Sequence, residues 1–390
     1  MLVRLKPAEL RPGMFVVSYG SGAFEDPVVK VERLILSADL AHYVSLASDE
    51  ILVDTDRSVP VSELSTEERR EILAASPLAA LRDELPVAAR LHAQAVALAR
   101  RFMTDARAGR TLRLDEVRPL VEDMAGSMDR NETASVTARL RRLDDYTVCH
   151  CADVAVFCLL LGRVLGFSGE ELVGLGMAGL LHDIGKARVS EAVLNKPGRL
   201  DEDELAQARA HALEGYLLLK DRPEIPAGVA RAVLEHHERT DGRGYPYHLA
   251  GPDISMPAQI VSVADVYDAL ISETPYRRAL PPSEALGRLY QRRGQGFCPE
   301  CVEMLVRTLG VYPVGSFVRL TSGEYGVVAE GNPGRPLLPK VRVVFDARMR
   351  PRRSRVLDLG AQDPGRPDAV GVLECLDPAR YKIDAARFLL

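Results

Sequence analysis

The chain has 390 residues, and its 50 Lys and Arg against 55 Asp and Glu give a formal net charge of −5. This length suggests two or three domains, and the charge balance argues against a dedicated duplex-DNA-binding protein, which would carry a basic patch. Hydrophobic residues make up 47% of the chain and aromatic residues 5%, without any Trp. The chain can therefore bury a large core, but it is poorly suited to stacking on single-stranded nucleic acid.

The sequence shows no targeting or membrane-spanning segment. Its most apolar stretch, residues 151–167, is interrupted by Asp153 and Arg163, whereas a bilayer span needs about 20 mostly apolar residues. The first residues are charged and lead into no apolar run typical of a signal peptide. The six Cys lack the spacing of a disulfide framework, so we expect reduced thiols. These features predict a cytoplasmic protein that makes no membrane contact.

Residues 1–64 alternate short apolar runs with Gly and Pro. The runs are residues 14–17, 28–31 and 50–54, and this pattern predicts strands with one accompanying helix. We therefore expect an N-terminal α+β accessory module, in which no catalytic motif is visible.

Residues 65–135 have the composition of a helical connector. Thr66 followed by Glu67 and Glu68 is typical of a helix start, and Ala, Leu, Arg and Glu dominate the residues after it. Pro77 and Pro86 are expected to cut this helix into pieces. The composition suits a coiled-coil segment, which would make the protein a homodimer, and equally a packed helical hairpin.

Residues 136–312 are predicted to form a helical catalytic domain. Apolar residues recur with a spacing near 3.6 in residues 159–165, 170–181, 202–220 and 229–236. Because few alternating segments interrupt these stretches, the core is expected to be all-α.

Residues 313–390 differ, because residues 315–320, 325–328 and 340–345 alternate like strands. They predict a β-rich C-terminal appendage on a mainly α protein. The basic run at residues 348–355 is interpreted as a solvated loop.

Five of the eight His combine with two Asp into a candidate metal site: His150, His182, Asp183, His211, His236, His237 and Asp265. Imidazole and carboxylate groups suit Fe, Mn, Zn and Co. Adjacent residues on a regular helix point about 100° apart, so the adjacent pairs can serve metals only near helix ends or across two ions. Asp183 could bridge two ions because each carboxylate oxygen can take one cation. His42, His92 and His248 are expected to be ordinary core or surface residues.

Two local patterns surround the adjacent pairs. An apolar helix leads into His182 and Asp183, Gly185 then allows close passage of the chain, and Lys186 is a mobile cation suited to phosphate. A Gly-rich loop comes after His236 and His237 and ends in Tyr-Pro. The alternative interpretation of this loop is a plain turn, because Asp-Gly is a common turn signal.

The composite pattern resembles a known enzyme family. His182-Asp183, with His236-His237 and Asp265, resembles the HD superfamily of metal-dependent phosphohydrolases. The string from His236 onward resembles the HD-GYP subfamily, and its loop residues are Asp241, Gly242, Gly244, Tyr245 and Pro246. The resemblance covers about residues 140–310 and extends to the segments 195–198, 264–270 and 275–277. Residues 1–64 are similar to a domain of unknown function that often precedes HD-GYP domains.

This resemblance implies a phosphodiesterase that hydrolyses the 3′-5′ bonds of the bacterial second messenger cyclic di-GMP to pGpG, GMP or both. It implies two divalent ions, with Fe or Mn expected and Zn or Co as alternatives. One ion would be held by His150, His182, Asp183 and Asp265. Asp183 would bridge to a second ion held by His211, His236 and His237. The catalytic groups would be Asp183 and Lys186.

Physical chemistry supports a two-metal reaction on a phosphodiester. Two cations neutralise the anion, lower the pKa of a bridging water so that a metal-bridging hydroxide can attack, and stabilise the leaving 3′-oxygen. Lys186 would stabilise charge on the phosphoryl oxygens. Tyr146 lies four residues before His150, so both side chains can face the site.

Two departures from the family pattern concern the substrate contacts. Some members carry Glu where Tyr146 stands, and that Glu contributes to a third metal, so Tyr here favours two. Many members read Asp-Arg-Pro-Tyr-Arg where this chain has residues 273–277, and one Arg is missing here. Arg277 or Arg278 could compensate. The candidate substrate contacts are therefore Lys186, Arg277, Arg278 and Tyr146.

Two alternative functions remain open at this level. One is a scaffold that binds a cyclic dinucleotide, or docks diguanylate cyclase (GGDEF) domains through an exposed Tyr245-Pro246 loop, with little turnover. The other is a phosphodiesterase for a different cyclic dinucleotide. The Cys pairs at positions 149 and 151 and at positions 298 and 301 are interpreted as packing residues and as an incidental spacing, respectively.

Overall fold

The computed structural model describes residues 2–6, 9–11, 14–20, 29–34, 50–60, 81–138, 146–196, 198–273, 278–332, 335–362, 369–381, 383 and 385–389. The chain divides into two compact units. One comprises Met1–Val87 with Asp129–Asn131, and the other comprises Ala88–Met128 with Glu132–Leu390. Among the helices described, none combines the length and apolarity that a bilayer span requires.

The first unit contains a four-stranded antiparallel sheet. Its strands are β1 (Leu2–Leu5), β2 (Phe15–Gly20), β3 (Val29–Leu34) and β4 (Glu50–Asp54), in the order β1-β4-β2-β3. Val16, Ile51 and Val53 are buried, as expected for the inward-facing residues of a half-buried sheet. The three predicted strands are confirmed, and β1 is an addition to them.

Three helices come next: α1 (Leu81–Arg107), α2 (Val117–Arg130) and α3 (Glu132–Ala138). The predicted break at Pro86 is wrong, because α1 runs through it. Pro86 lies in the second turn, where its missing N–H removes a single hydrogen bond. Beyond it, Leu91, Ala95 and Phe102 are buried and give the helix a packed face. Pro77 lies outside the described residues.

The helical core consists of α4 (Tyr146–Val164), α5 (Gly169–Leu181), α6 (Glu191–Leu194), α7 (Glu202–Arg209), α8 (His211–Leu219), α9 (Ala227–Glu235), α10 (Met256–Ile271), α11 (Pro282–Gln291) and α12 (Pro299–Leu309). Helix α4 packs against α5 and α10, and Phe157 meets Tyr267 edge to face with ring centroids 5.0 Å apart. The single helix predicted over residues 202–220 is two helices. The first begins at a capping box of Asp201 and Glu204.

The C-terminal region forms a five-stranded antiparallel sheet. Its strands are β5 (Phe317–Leu320), β6 (Tyr325–Glu330), β7 (Lys340–Phe345), β8 (Pro351–Asp358) and β9 (Val372–Leu376), in the order β8-β7-β6-β5-β9. Interpreting the basic run as a loop was wrong for its second half, which lies in the exposed edge strand β8. Arginines suit an edge strand because charge discourages further pairing, and Glu324 pairs with Arg352 and Arg355.

Candidate metal centre

Helix ends bring the predicted ligands together. His182 and Asp183 directly follow α5, His236 directly follows α9, and His211 is the first residue of α8. At Asp183 the backbone has left helical geometry (φ −99°, ψ 6°), so this side chain no longer follows the direction set by its helix. Both adjacent pairs thus lie at helix ends, one of the two arrangements in which such pairs were expected to serve metals. His150 lies in the second turn of α4, and Asp265 lies in the middle of α10.

Four of the seven residues form a buried group that we call the carboxylate half-site: His150, His182, Asp183 and Asp265. The Nε2 atom of His150 lies 3.0 Å from Asp265 Oδ1 and 3.9 Å from Asp183 Oδ2. The Nε2 atom of His182 lies 3.4 Å from the same Asp183 oxygen. These atoms are close enough to share one ion after small adjustments.

The other three residues, His211, His236 and His237, form the imidazole half-site. The Nε2 atom of His211 lies 3.3 Å from His236 Nε2 and 3.1 Å from His237 Nε2. It also lies 3.5 Å from Asp183 Oδ1. Asp183 therefore stands between the half-sites, with one carboxylate oxygen towards each.

The outer nitrogens of three imidazoles determine which nitrogen can bind a metal. In His182, His211 and His236, Nδ1 faces the backbone carbonyl three residues earlier, at 2.8, 2.6 and 2.6 Å. A carbonyl can only accept, so Nδ1 must donate, and in the neutral ring Nε2 then carries a lone pair. Lone pairs that face each other at 3.3 Å, as in His211 and His236, repel, and a cation between them would remove the repulsion.

Two polar atoms in the centre have no hydrogen-bond partner within the described part of the chain. They are His182 Nε2 and Asp183 Oδ1, and both are buried. An unsatisfied buried acceptor costs about 1–3 kcal/mol, and it requires an explanation such as an ion. The nitrogen and oxygen donors present here suit Fe, Mn, Zn and Co. The residues therefore fit a pair of divalent ions.

Comparisons with known proteins agree with this geometry. Residues 117–300 match the family model of the HD domain, and residues 2–117 match a domain of unknown function (DUF3391). A cyclic di-GMP phosphodiesterase of Pseudomonas aeruginosa is 36% identical over 372 residues, which is 92% of this chain and 89% of that protein. The chain belongs to the HD-GYP family of phosphodiesterases.

Two further relatives match shorter stretches of this HD-GYP protein. A cyclic di-GMP phosphodiesterase response regulator of Xanthomonas campestris is 46% identical over 150 residues, which is 38% of this chain and 39% of that protein. A 3′3′-cGAMP-specific phosphodiesterase of Vibrio cholerae is 40% identical over 168 residues, which is 43% of this chain and 36% of that protein. The relatives thus differ in the cyclic dinucleotide that they are named for.

The surroundings shift the pKa of imidazoles in opposite directions in the two half-sites of the HD-GYP centre. Burial lowers the pKa of His211, and it lowers the pKa of His236 and His237 well below the usual value, so these rings favour the neutral form that binds metals. Burial also acts to lower the pKa of His150, but hydrogen bonds to Asp265 and Asp268 outweigh it and raise this pKa to about 10.

The carboxylates of the centre stay ionised. Burial acts to raise the pKa of Asp183, but His182 and Lys186 outweigh it and hold this pKa well below the usual value. Burial also acts to raise the pKa of Asp265, but the hydrogen bond and the charge of His150 outweigh it and lower this pKa. Both groups therefore remain anionic ligands.

Sequence reasoning missed two buried carboxylates that support the centre. Asp268 Oδ2 accepts from His150 Nδ1 at 2.8 Å and fixes the orientation of that ring. Glu238 accepts from the backbone N–H groups of Tyr247 at 2.7 Å and Leu249 at 3.0 Å. The spacing of Asp268, three residues after Asp265 on one helix face, was a signal that could have identified it.

The GYP loop folds back over the imidazole half-site. Gly244 is required there, because a Cβ at this position would lie 2.4 Å from Glu238 Cα. The next peptide bond, Tyr245–Pro246, is cis. The Tyr245 ring lies 4.7 Å from the ring of His237. The loop is exposed in part, as expected: Asp241, Arg243 and Tyr247 are exposed, whereas the Tyr245 ring is half-buried against a candidate ligand. Pairing of Asp241 with Ala250 closes the loop, and Gly242 adopts a positive φ of 73°.

Of the four candidate substrate contacts, the structure describes the side chains of two. Lys186 Nζ donates to Asp183 Oδ2 at 2.5 Å with about 30% of its side chain exposed, so it lies between the site and solvent. Arg278 is exposed. Arg277 and the side chain of Tyr146 lie outside the described residues.

The other His and Cys residues behave as ordinary structural groups. His92 is buried against Asp153 at 2.7 Å, and His248 is exposed, whereas His42 lies outside the described residues. Cys151 is buried in α4, as its interpretation as a packing residue predicted. Cys298 caps α12 by accepting from the Cys301 N–H at 3.5 Å.

Proposed function

We propose that this protein hydrolyses the 3′-5′ phosphodiester bonds of cyclic di-GMP at a centre of two divalent metal ions. The observation that carries the proposal is the position of Asp183, which has one buried oxygen towards each half-site. A bridging carboxylate between two ligand groups suits the symmetric clamp of two-metal phosphodiester hydrolysis. The names of the Pseudomonas and Xanthomonas relatives support the substrate.

In this proposal His150, His182, Asp183 and Asp265 hold one ion, and His211, His236 and His237 hold the other with Asp183. Iron or manganese is proposed, with zinc or cobalt as alternatives. When bound, the two ions neutralise the phosphodiester and activate a water for attack.

The chain itself supplies orientation and charge. Asp268 holds the His150 ring through Nδ1, and this leaves Nε2 directed at the centre. Burial acts to lower the pKa of Lys186, but Asp183 outweighs it and raises this pKa. Lys186 therefore stays protonated and can hold charge on a phosphoryl oxygen. Tyr245 covers the imidazole half-site and limits access of bulk water.

The test combines elemental analysis of anaerobically purified protein with chromatography of its reaction products. We expect close to two ions per chain and conversion of cyclic di-GMP to pGpG, GMP or both. Protein that holds two ions but leaves cyclic di-GMP intact after long incubation would refute the proposal. Binding without turnover would instead favour the scaffold alternative, in which GGDEF domains are the partners.

A second candidate substrate is 3′3′-cGAMP. It is favoured by the 40% identity to a 3′3′-cGAMP-specific phosphodiesterase. The metal ligands do not distinguish between cyclic dinucleotides, because both substrates present the same phosphodiester. Assays of both cyclic dinucleotides side by side separate the candidates, and a higher kcat/KM for 3′3′-cGAMP would replace our assignment.

A further inference from the structure

An arginine that sequence reasoning did not select stands beside the candidate metal centre. Arg209 is the last residue of α7, and its side chain is exposed. Its guanidinium carbon lies 5.2 Å from the centroid of the Tyr245 ring. The Tyr245 ring in turn lies 4.7 Å from the ring of His237, measured between centroids. A guanidinium, a phenol ring and an imidazole thus succeed one another from the surface to the imidazole half-site.

The charge of Arg209 is not neutralised by its described surroundings. Within the described part of the chain, no carboxylate oxygen lies within 4.0 Å of the Arg209 guanidinium. Two other cations of the helical core are paired with carboxylates: Lys186 with Asp183, and Arg231 with Glu235. Contact with the face of Tyr245 orders the guanidinium without neutralising it. Its hydrogen-bond donors therefore remain available to an anion.

We infer that Arg209 binds the phosphodiester of the cyclic dinucleotide that is not being cleaved, an inference that rests on the proposed function. A cyclic dinucleotide carries two phosphodiesters. When one lies at the two ions, the other still carries a negative charge outside the metal centre. Arg209 is separated from the ligands by the Tyr245 ring, so it is placed for this outer phosphate. Its planar fork of N–H groups matches phosphate oxygens.

The test compares two substrates that differ in phosphate number. Cyclic di-GMP has two phosphodiesters, and bis(p-nitrophenyl) phosphate has one. For Arg209→Gln we expect the KM for cyclic di-GMP to rise about tenfold, the typical loss for a hydrogen bond to a charged group, with little change in kcat. Hydrolysis of bis(p-nitrophenyl) phosphate and the metal content should stay unchanged, and Arg209→Lys should recover part of the KM.

The matched control is Arg319→Gln. Arg319 also lies over a tyrosine, with its guanidinium carbon 5.7 Å from the Tyr325 ring centroid, but it belongs to strand β5 of the C-terminal sheet. We expect this variant to behave as the unmodified protein with both substrates. A general effect of losing a stacked arginine would appear in both variants.

Each other outcome counts against the inference. An unchanged KM for cyclic di-GMP in Arg209→Gln overturns it, and so does an equal loss with both substrates, which would assign Arg209 to support of the metal centre. If the unmodified protein cleaves bis(p-nitrophenyl) phosphate but no cyclic dinucleotide, the proposed function itself fails. Assays of the unmodified protein therefore show whether the proposed function fails, before any variant is measured.

Discussion

The two half-sites meet at Asp183 but are built differently. In the carboxylate half-site, two acidic groups accompany two imidazoles, and the side chain of Asp268 holds His150 from outside. The imidazole half-site has three imidazoles, and backbone carbonyls hold His211 and His236. Charge therefore contributes more to the first half-site, in which one of the two imidazoles, His182, is held by a backbone carbonyl. The path of the backbone contributes more to the second. Substitutions should damage them by different routes.

The shared residue should give the largest effect. Asp183→Ala removes a candidate ligand that has one carboxylate oxygen towards each half-site, so we expect less than one ion per chain. Hydrolysis should fall by roughly 1000-fold or more, since metal stabilisation of the transition state is worth several kcal/mol. Elemental analysis checks the metal content, and product chromatography checks the loss of hydrolysis. Asp203→Ala, at an exposed position of α7, is the control and should keep both properties.

The backbone dependence of the imidazole half-site is tested by Gly185→Ala. A Cβ at Gly185 would lie 1.9 Å from the carbonyl oxygen of His211, so α8 must shift and move its first residue. We expect about one ion per chain and a loss of about 100-fold in kcat/KM, because a misplacement of about 1 Å can cost that much.

Gly228→Ala is the matched control for that substitution. Gly228 lies in helix α9, which leads to His236, but no atom beyond its chain neighbours and its own helix backbone lies within 4 Å of the position that a Cβ would take there. It should keep two ions and gain slightly in stability, since Ala is favoured over Gly in helices by about 1 kcal/mol. Two ions and full activity in Gly185→Ala would show that the close approach to α8 does not position His211.

The charge dependence of the carboxylate half-site is tested by Asp268→Asn. The amide keeps an acceptor for His150 Nδ1 but removes the negative charge behind the ring, and we expect the affinity of one ion to fall about 10- to 100-fold. The second ion should be held as before. Competition with a chelator measures both affinities. Ser272→Ala is the control, because Ser272 reaches the same Asp268 oxygen at 3.4 Å without touching a ligand.

The sequence identified the seven candidate ligands because they carry rare chemistry in short local strings. The same reasoning missed Asp268, although its spacing from Asp265 was a usable signal. It missed Glu238 because the partners of this carboxylate are backbone N–H groups that no spacing reveals. Arg209 was missed for a related reason, because only the folded GYP loop brings Tyr245 to it. The apolar alternation of the sequence predicted β5, β6 and β7 correctly. It did not predict β8, because an exposed edge strand rich in arginine has no apolar alternation.

Glu238 gives the smallest expected effect, because it supports the loop over the imidazole half-site and not a ligand. Glu238→Gln replaces one acceptor oxygen with an NH₂ group that cannot accept from the N–H of Tyr247 or Leu249. Losing one hydrogen bond of about 0.5–1.5 kcal/mol should loosen Tyr245 and lower kcat/KM for cyclic di-GMP about threefold to tenfold. Metal content should stay at two ions, which steady-state kinetics with parallel elemental analysis can check. Loss of an ion in this variant would mean that the loop helps to hold the imidazole half-site, and the two half-sites would then differ less than their ligands suggest.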